Sequence, residues 1–175
     1  MTTGVNQSGV NYCNMKKIII SVLLLSLAIG WMFFIFSMSA EPAEMSTETS
    51  GNTIRKIFEL VYPGFKNMEE ADQIRIIDES QFFVRKAAHF SMYAVLGILL
   101  TVNVSYHIKN RRLILLLPLL IGILYSVSDE IHQTFVPGRS GQISDVILDS
   151  FGVLFGCAII VIIVSRIHNK TNSKE

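Results

Sequence analysis

Charge is scarce in this chain of 175 residues: Asp, Glu, Lys and Arg make up 17%. Soluble domains carry about a quarter, so the composition argues against both an ordinary water-soluble globule and a disordered chain. Neither sign is in excess, the formal net charge being +1, and the large basic surplus of a nucleic-acid binder is missing. Cysteine is nearly absent, with only Cys13 and Cys157. No internal repeat, no G-x-S-x-G setting for a serine nucleophile, no HExxH and no dense carboxylate repeat occurs, so neither a metal nor another cofactor is assigned. Apolar residues fill the space instead. They form 50% of the chain, and the mean hydropathy is +0.45. The class that remains is a small all-α integral membrane protein.

Four spans can be placed. Ile18 to Ala40 is a run of 23 residues without a charge, and about 20 apolar residues cross the hydrocarbon core as a helix. A cleaved signal peptide is the competing reading, with Lys16 and Lys17 ahead of the run and Ser37, Ser39 and Ala40 at its end. Signal cores are shorter, about 7 to 15 residues, and lack bulky residues such as Trp31, Phe33, Phe34 and Phe36 near the end, which favours a retained anchor. The second span runs from Ala87 to about Tyr106. Leu113 to Val127 is too short to cross alone, so the third helix is expected to continue through Ser128, Asp129, Glu130 and His132 towards Phe135, with a kink at Pro118. The fourth covers Val146 to about Ile167, with Ser144 or Asp145 as N-cap.

Lysine and arginine in short flanks orient such a bundle. Eight of them (Lys16, Lys17, Lys109, Arg111, Arg112, Arg166, Lys170, Lys174) fall on one side with Glu175 alone against them, giving +7. The other side holds seven basic residues and thirteen acids, giving −6. The basic side is assigned to the cytoplasm, with both termini inside. The chain then divides into a cytoplasmic tail (1–17), the first span (18–40), an external loop (41–86), a three-helix membrane core (87–167) and a second cytoplasmic tail (168–175). Cys13 and Cys157 are too far apart in this topology to pair. In the loop, Glu41 to Thr53 reads as a flexible acidic linker. Ile54, Ile57, Phe58 and Val61 recur at helical spacing up to Pro63-Gly64, and Asn67 with Glu70 suits the opening of a second short helix. Both pieces suit the membrane interface or a cover over the bundle.

The polar residues concentrate in two segments. Arg85, His89, Tyr93 and Gly97 share one helix face at i, i+4 spacing, and Lys86 adjoins them. Asp129, Glu130, His132 and Gln133 ride on the end of the third helix. Pro137-Gly138 reads as a turn, proline fixing its first central position and glycine permitting the second, and it aims Arg139. Asp145 and Asp149 continue into a stripe with Gly152 and Gly156, carboxylates above and a small-residue packing face below. In a four-span topology all these groups lie at the outer membrane face, and ionisable residues there turn inward, because lipid exposure costs a few kcal/mol or more.

The stretches RKAAHFSMY and SDEIHQTFVPGRSGQISDVILDSFG closely resemble the signature segments of the VanZ-like membrane proteins, named after a teicoplanin-resistance accessory protein. The resemblance covers roughly residues 82 to 165. It implies a multi-helix membrane protein of the cell envelope, associated in some members with glycopeptide resistance, and it implies no reaction. The matching motif positions are Lys86, His89, Tyr93, Asp129, Glu130, Gln133, Pro137, Gly138, Arg139 and Asp145. The expected partners are the lipid bilayer and, through the resemblance, a lipid-linked cell-wall precursor or a glycopeptide-type ligand.

Two readings of the cluster compete. In one, the charges are internal glue, with Arg85, Lys86 or Arg139 paired to Asp129, Glu130, Asp145 or Asp149. In the other they form an outward pocket, since more ionisable groups gather than cohesion needs. Within a pocket, the carboxylates with His89 and His132 could take a divalent cation. Alternatively His89 with an acidic partner transfers protons while Arg139 and Lys86 hold a phosphate, as in a hydrolase or transferase acting on a polyprenyl-linked substrate. A small transporter is a third possibility, for which four helices leave little room.

Overall fold

The computed structural model describes the backbone of residues 7–172 and the side chains of residues 15–166. The Cys13 thiol and most side chains of both tails therefore lie outside the described residues. Among the described residues five helices form: α1 (Gln7–Ser39), α2 (Ala43–Val61), α3 (Glu70–His107), α4 (Arg111–Gln133) and α5 (Ile143–Asn172), with a single 3₁₀ turn at Phe65–Asn67. The fold is all-α, with no strand among the described residues. Four segments of the described residues are long and apolar enough to cross a membrane: Met15–Ser39, Glu70–His107, Arg111–Gln133 and Ile143–Arg166.

Residue pairs fix the helix directions. Trp31 Nε1 donates to Met92 O (2.9 Å) and Ser21 Oγ meets His107 Nε2 (2.8 Å), so α1 and α3 are antiparallel. Tyr125 OH donates to Met32 O and Ser39 Oγ to Asp129, so α1 and α4 run together. Ser126 bonds Asp149 and Glu130 bonds Gln142, which makes α4 antiparallel to α5. Lys86 pairs with Asp145 and Cys157 points at Gly97, so α3 and α5 are parallel. The end of α1, the end of α4 and the start of α5 therefore share one end of the bundle with residues 85–93 of α3.

Small residues set how closely these helices approach. A Cβ on Gly156 would clash with the backbone of Ala94, and one on Gly152 would lie 2.5 Å from Phe90 O. On α3, a Cβ at Gly97 would meet the carbonyl of Val153. The Gly152/Gly156 stripe is thus a backbone-to-backbone packing face, the arrangement that small-xxx-small motifs give in membranes. Tyr93, Leu96, Leu100, Val153 and Cys157 fill the core beside it, with Ala28 and Ile35 from α1.

Two expectations for the loop need correction. Residues 43–53 are not a flexible linker but the first half of α2. Ser, Thr, Gly and Asn are weak helix formers, and tertiary contacts overrule them: Gly51 lets α2 approach Ile77 and Gln81 of α3, and Ile54 buries against Phe65 and Ile77. The start of α2 is tied down by the Ala43 N–H, which donates to Pro137 O at 3.2 Å. Nor does a separate short helix open at Asn67. Residue Glu69 is the N-cap, Glu70 and Asp72 sit in the first turn, and α3 then runs unbroken for 38 residues. No glycine or proline interrupts residues 70–96, so nothing stops it. At 1.5 Å per residue α3 is about 57 Å long against a hydrocarbon core of about 30 Å. Its first half, with α2 antiparallel to it, forms a hairpin beyond the bundle.

At the remaining boundaries, α4 reaches Gln133, its first turn capped by Asn110 Oδ1 accepting from the Arg112 and Leu113 amides. Pro118 is fully buried inside α4. Helix α5 begins at Ile143, so Ser144 and Asp145 lie in its first turn rather than capping it.

Candidate functional site

At the shared end of the bundle the polar residues separate into a buried layer and a cavity above it. In the buried layer, Asp129 is 2% exposed. One of its oxygens accepts from Ser39 Oγ (2.8 Å), Tyr93 OH (3.2 Å) and Gln133 Nε2 (3.4 Å), which links α1, α3 and α4. Asp149, fully buried, accepts from Ser126 Oγ at 3.3 Å. Its other oxygen lies 3.8 Å from His89 Nδ1, an ion-pair distance too long for a hydrogen bond. Glu130 Oε2 accepts from the Gln142 amide at 2.8 Å, tying the end of α4 to the segment that enters α5. Buried polar atoms without a hydrogen-bond partner cluster here: His89 Nδ1, Asp129 Oδ1, Glu130 Oε1, His132 Nε2 and Asp149 Oδ1.

Above this layer is a cavity of about 400 Å³, enclosed by the end of α1, the base of the α2–α3 hairpin and the 138–145 segment. Of the residues singled out from the sequence, Arg85, Lys86, His89, Gln133, Gly138, Arg139 and Asp145 line it. Tyr93, Asp129, Glu130 and Asp149 do not line it, and Tyr93, Asp129 and Asp149 belong to the buried hydrogen-bonded layer. His132 is turned aside: its ring stacks on Phe36 with centroids 4.3 Å apart. Lys86 is held by an ion pair to Asp145. The guanidinium groups of Arg85 and Arg139, by contrast, make no hydrogen bond or ion pair among the described residues. Arg139 follows a tight turn in which its N–H donates to Val136 O at 3.1 Å and Gly138 has φ +75°, the geometry of a type II turn with Pro137 in the first central position. Burial lowers the Arg139 pKa, the Glu41 carboxylate opposing that and Arg85 reinforcing it. A guanidinium so placed keeps its charge.

Several residues of this end escaped sequence reasoning. Ser39 reads as a small residue at the end of a span, yet it is 1% exposed and donates to Asp129. Ser126 was hidden in the same way inside an apolar run. The cavity wall from α2 carries Ser46, Thr49, Ser50 and Thr53, and their i, i+3, i+4, i+7 spacing was a visible signal of one helix face. Reading 41–53 as a linker concealed it.

The arrangement can hold an anion between basic groups, and it holds an imidazole near a carboxyl group. For a metal ion the donor set is poor, because among the described residues no three His, Cys, Asp or Glu side chains converge closely enough to bind one. Neither the curated proteins nor the solved structures compared with the chain gave a match. The family comparison did: the VanZ/LLP1 model matches residues 24–164, well over half of the sequence and the whole of the cavity and the layer beneath it, so the chain belongs to the VanZ/LLP1 family and is a multi-pass membrane protein.

Proposed function

We propose that the protein works at the outer face of the cytoplasmic membrane, where it holds the anionic head of a lipid-linked cell-envelope component and so lowers sensitivity to glycopeptide antibiotics of the teicoplanin type. The observation that carries this reading is the pair Arg85 and Arg139 on the cavity wall, whose guanidinium groups make no ion pair with an acid among the described residues, Glu41 acting on Arg139 only from a distance. Guanidinium forks suit phosphate oxygens, and a charge-assisted bond to an anion is about twice as strong as a neutral one. Lys86 adds positive charge, and its pairing with Asp145 holds it in place. The orientation follows the eight basic residues of the opposite end and the tails, with both termini in the cytoplasm. The test is susceptibility of cells expressing the protein. Wild type should raise the tolerated teicoplanin concentration, and Arg139→Gln at equal membrane abundance should abolish most of that rise. Equal susceptibility with and without the protein would refute the role.

A second reading is favoured by His89. Its ring lines the cavity while the buried Nδ1 faces Asp149, the relation in which a carboxylate orients an imidazole that moves a proton. On this reading the protein is a hydrolase or transferase for the same class of phosphorylated lipid. Asp129, with its three donors, takes a structural part. Turnover of polyprenyl-linked phosphates by purified protein, lost in both His89→Ala and Asp149→Asn, would establish it. Absence of turnover in wild type would remove it and leave the binding role intact.

A further inference from the structure

The cavity has three chemically different walls. Arg85, Lys86 and Arg139 form a cationic wall, and Met38, Ala88 and Met92 an apolar one. The third is the hydroxyl row of α2: Ser46, Thr49, Ser50 and Thr53. That row is costly. Ser and Thr each reduce helix stability by roughly 0.5 kcal/mol relative to Ala, and cohesion does not account for them. Thr53 Oγ1 donates to Thr49 O (2.9 Å) and Ser50 Oγ to Thr47 O (3.1 Å), both within α2, and Thr49 Oγ1 reaches Glu41 at 3.5 Å. None of the four bonds to α3 or to the bundle among the described residues.

Ser50 and Thr53 turn their protons back to their own helix and Thr49 turns its proton to Glu41, so these three hydroxyls offer the cavity acceptor lone pairs. Such a wall is matched by a ligand rich in O–H donors. A bare phosphate has only acceptors at its anionic oxygens and is matched by the cationic wall alone. We infer that the ligand is a glycosylated lipid phosphate, its phosphate against Arg139 and Lys86, its sugar against the α2 hydroxyls and its hydrocarbon leaving past Met38 and Met92. This rests on the anionic-lipid reading above and adds the sugar. The volume, about 400 Å³, falls at the lower end of small-ligand sites of about 300–1,000 Å³, room for a phosphate and a short saccharide rather than a long glycan.

The test uses the full chain in lipid nanodiscs and two probes: a polyprenyl monophosphate, and the same lipid phosphate carrying a single hexose. Wild type should bind the glycosylated probe about tenfold more tightly, the worth of one or two net hydrogen bonds. In Ser46→Ala/Thr49→Val/Ser50→Ala/Thr53→Val that preference should vanish while the sugar-free probe binds within about twofold of wild type. The milder Ser46→Ala/Ser50→Ala, in which alanine favours the helix, should lose part of the preference without a fall in melting temperature. Arg139→Gln should weaken both probes. Equal binding of the two probes by wild type, or an undiminished preference in both hydroxyl variants, overturns the sugar wall and leaves the anionic-lipid reading standing. No binding of either probe by wild type overturns both.

Discussion

Substituting Gly152 by alanine tests the packing on which the whole site depends. The added methyl would lie 2.5 Å from Phe90 O, 3.2 Å from Tyr93 Cβ and 3.3 Å from Ala94 N. Ordinary contact is near 3.5 Å, so the carbonyl is about 1 Å too close, and a main-chain atom inside a helix cannot swing aside like a side-chain tip. Helices α3 and α5 must part. A gap of 0.5–1 Å forfeits about a quarter to a half of each dispersion contact across it, and overpacking of this kind costs about 1–3 kcal/mol. With only backbone and Cβ atoms as neighbours the upper end applies. Alanine repays about 1 kcal/mol through its better helix propensity, leaving a net loss of about 2 kcal/mol and a fall in Tm of roughly 4–8 °C by the scaling for chains of this size. The control is Gly30→Ala on α1, where a Cβ meets nothing within 4 Å; it should melt at or slightly above wild type. Thermal unfolding of both variants in detergent, followed by circular dichroism, makes the comparison. If Gly152→Ala melts with Gly30→Ala and wild type, the two backbones are not in contact and the argument fails. Because Gly152 is three residues from Asp149, the same variant should also widen the His89–Asp149 approach and weaken any activity of the cavity.

Three further outcomes follow from named contacts. Lys86→Gln should destabilise by about 2 kcal/mol, since Asp145 keeps a largely buried charge without its partner, and the exchange Lys86→Asp with Asp145→Lys should recover much of the loss in the same melts. Asp129→Leu should cost about 3 kcal/mol by stranding the Ser39, Tyr93 and Gln133 donors, while Asp129→Asn, which keeps an acceptor, should cost less. Gly138→Ala places a side chain at φ +75°, where its Cβ also lies 3.1 Å from Ala43 Cβ. The strain of roughly 1–2 kcal/mol should shift Arg139 and lower affinity for the polyprenyl phosphate probe more than it lowers Tm.

What could be read from the residues differs sharply between the spans and the loop. The apolar runs had to become helices because lipid leaves the backbone no other partner, and the order of four such runs was enough to bring residues 85–93, 129–133 and 139–149 to one end. The Gly152/Gly156 stripe was legible as a packing face for the same reason, since small residues at that spacing have little other use in a bundle. The second half of α2 was legible from Ile54, Ile57, Phe58 and Val61, but its first half was not. Its hydroxyl, Gly and Asn content describes a linker by local propensity, and the helix exists through Ile54, Phe65 and Ile77, contacts far apart in sequence. Ser39 and Ser126 were invisible because a hydroxyl in an apolar run gives no sign of the carboxylate it meets.

The buried layer separates cohesion from function more finely than counting charges can. Removing a carboxylate from water costs several kcal/mol, and packed apolar residues of similar volume often serve stability as well or better. Asp129 offsets that cost with three donors from three helices, and a structural role is sufficient for it. Asp149 has no such compensation: one donor at 3.3 Å, one oxygen without a hydrogen bond, and a histidine held near it but not bonded. A leucine there would be cheaper, so stability alone gives no reason for the acid. The same asymmetry separates Lys86, paired with Asp145, from Arg85 and Arg139, which face the cavity unpaired. Asp129, Glu130 and His132 each leave one buried polar atom unbonded away from the cavity, and the other residues at this end whose protein partners are incomplete are Asp149, His89, Arg85 and Arg139. Three of these four line the cavity and the fourth touches it through His89, which supports a ligand as the missing partner.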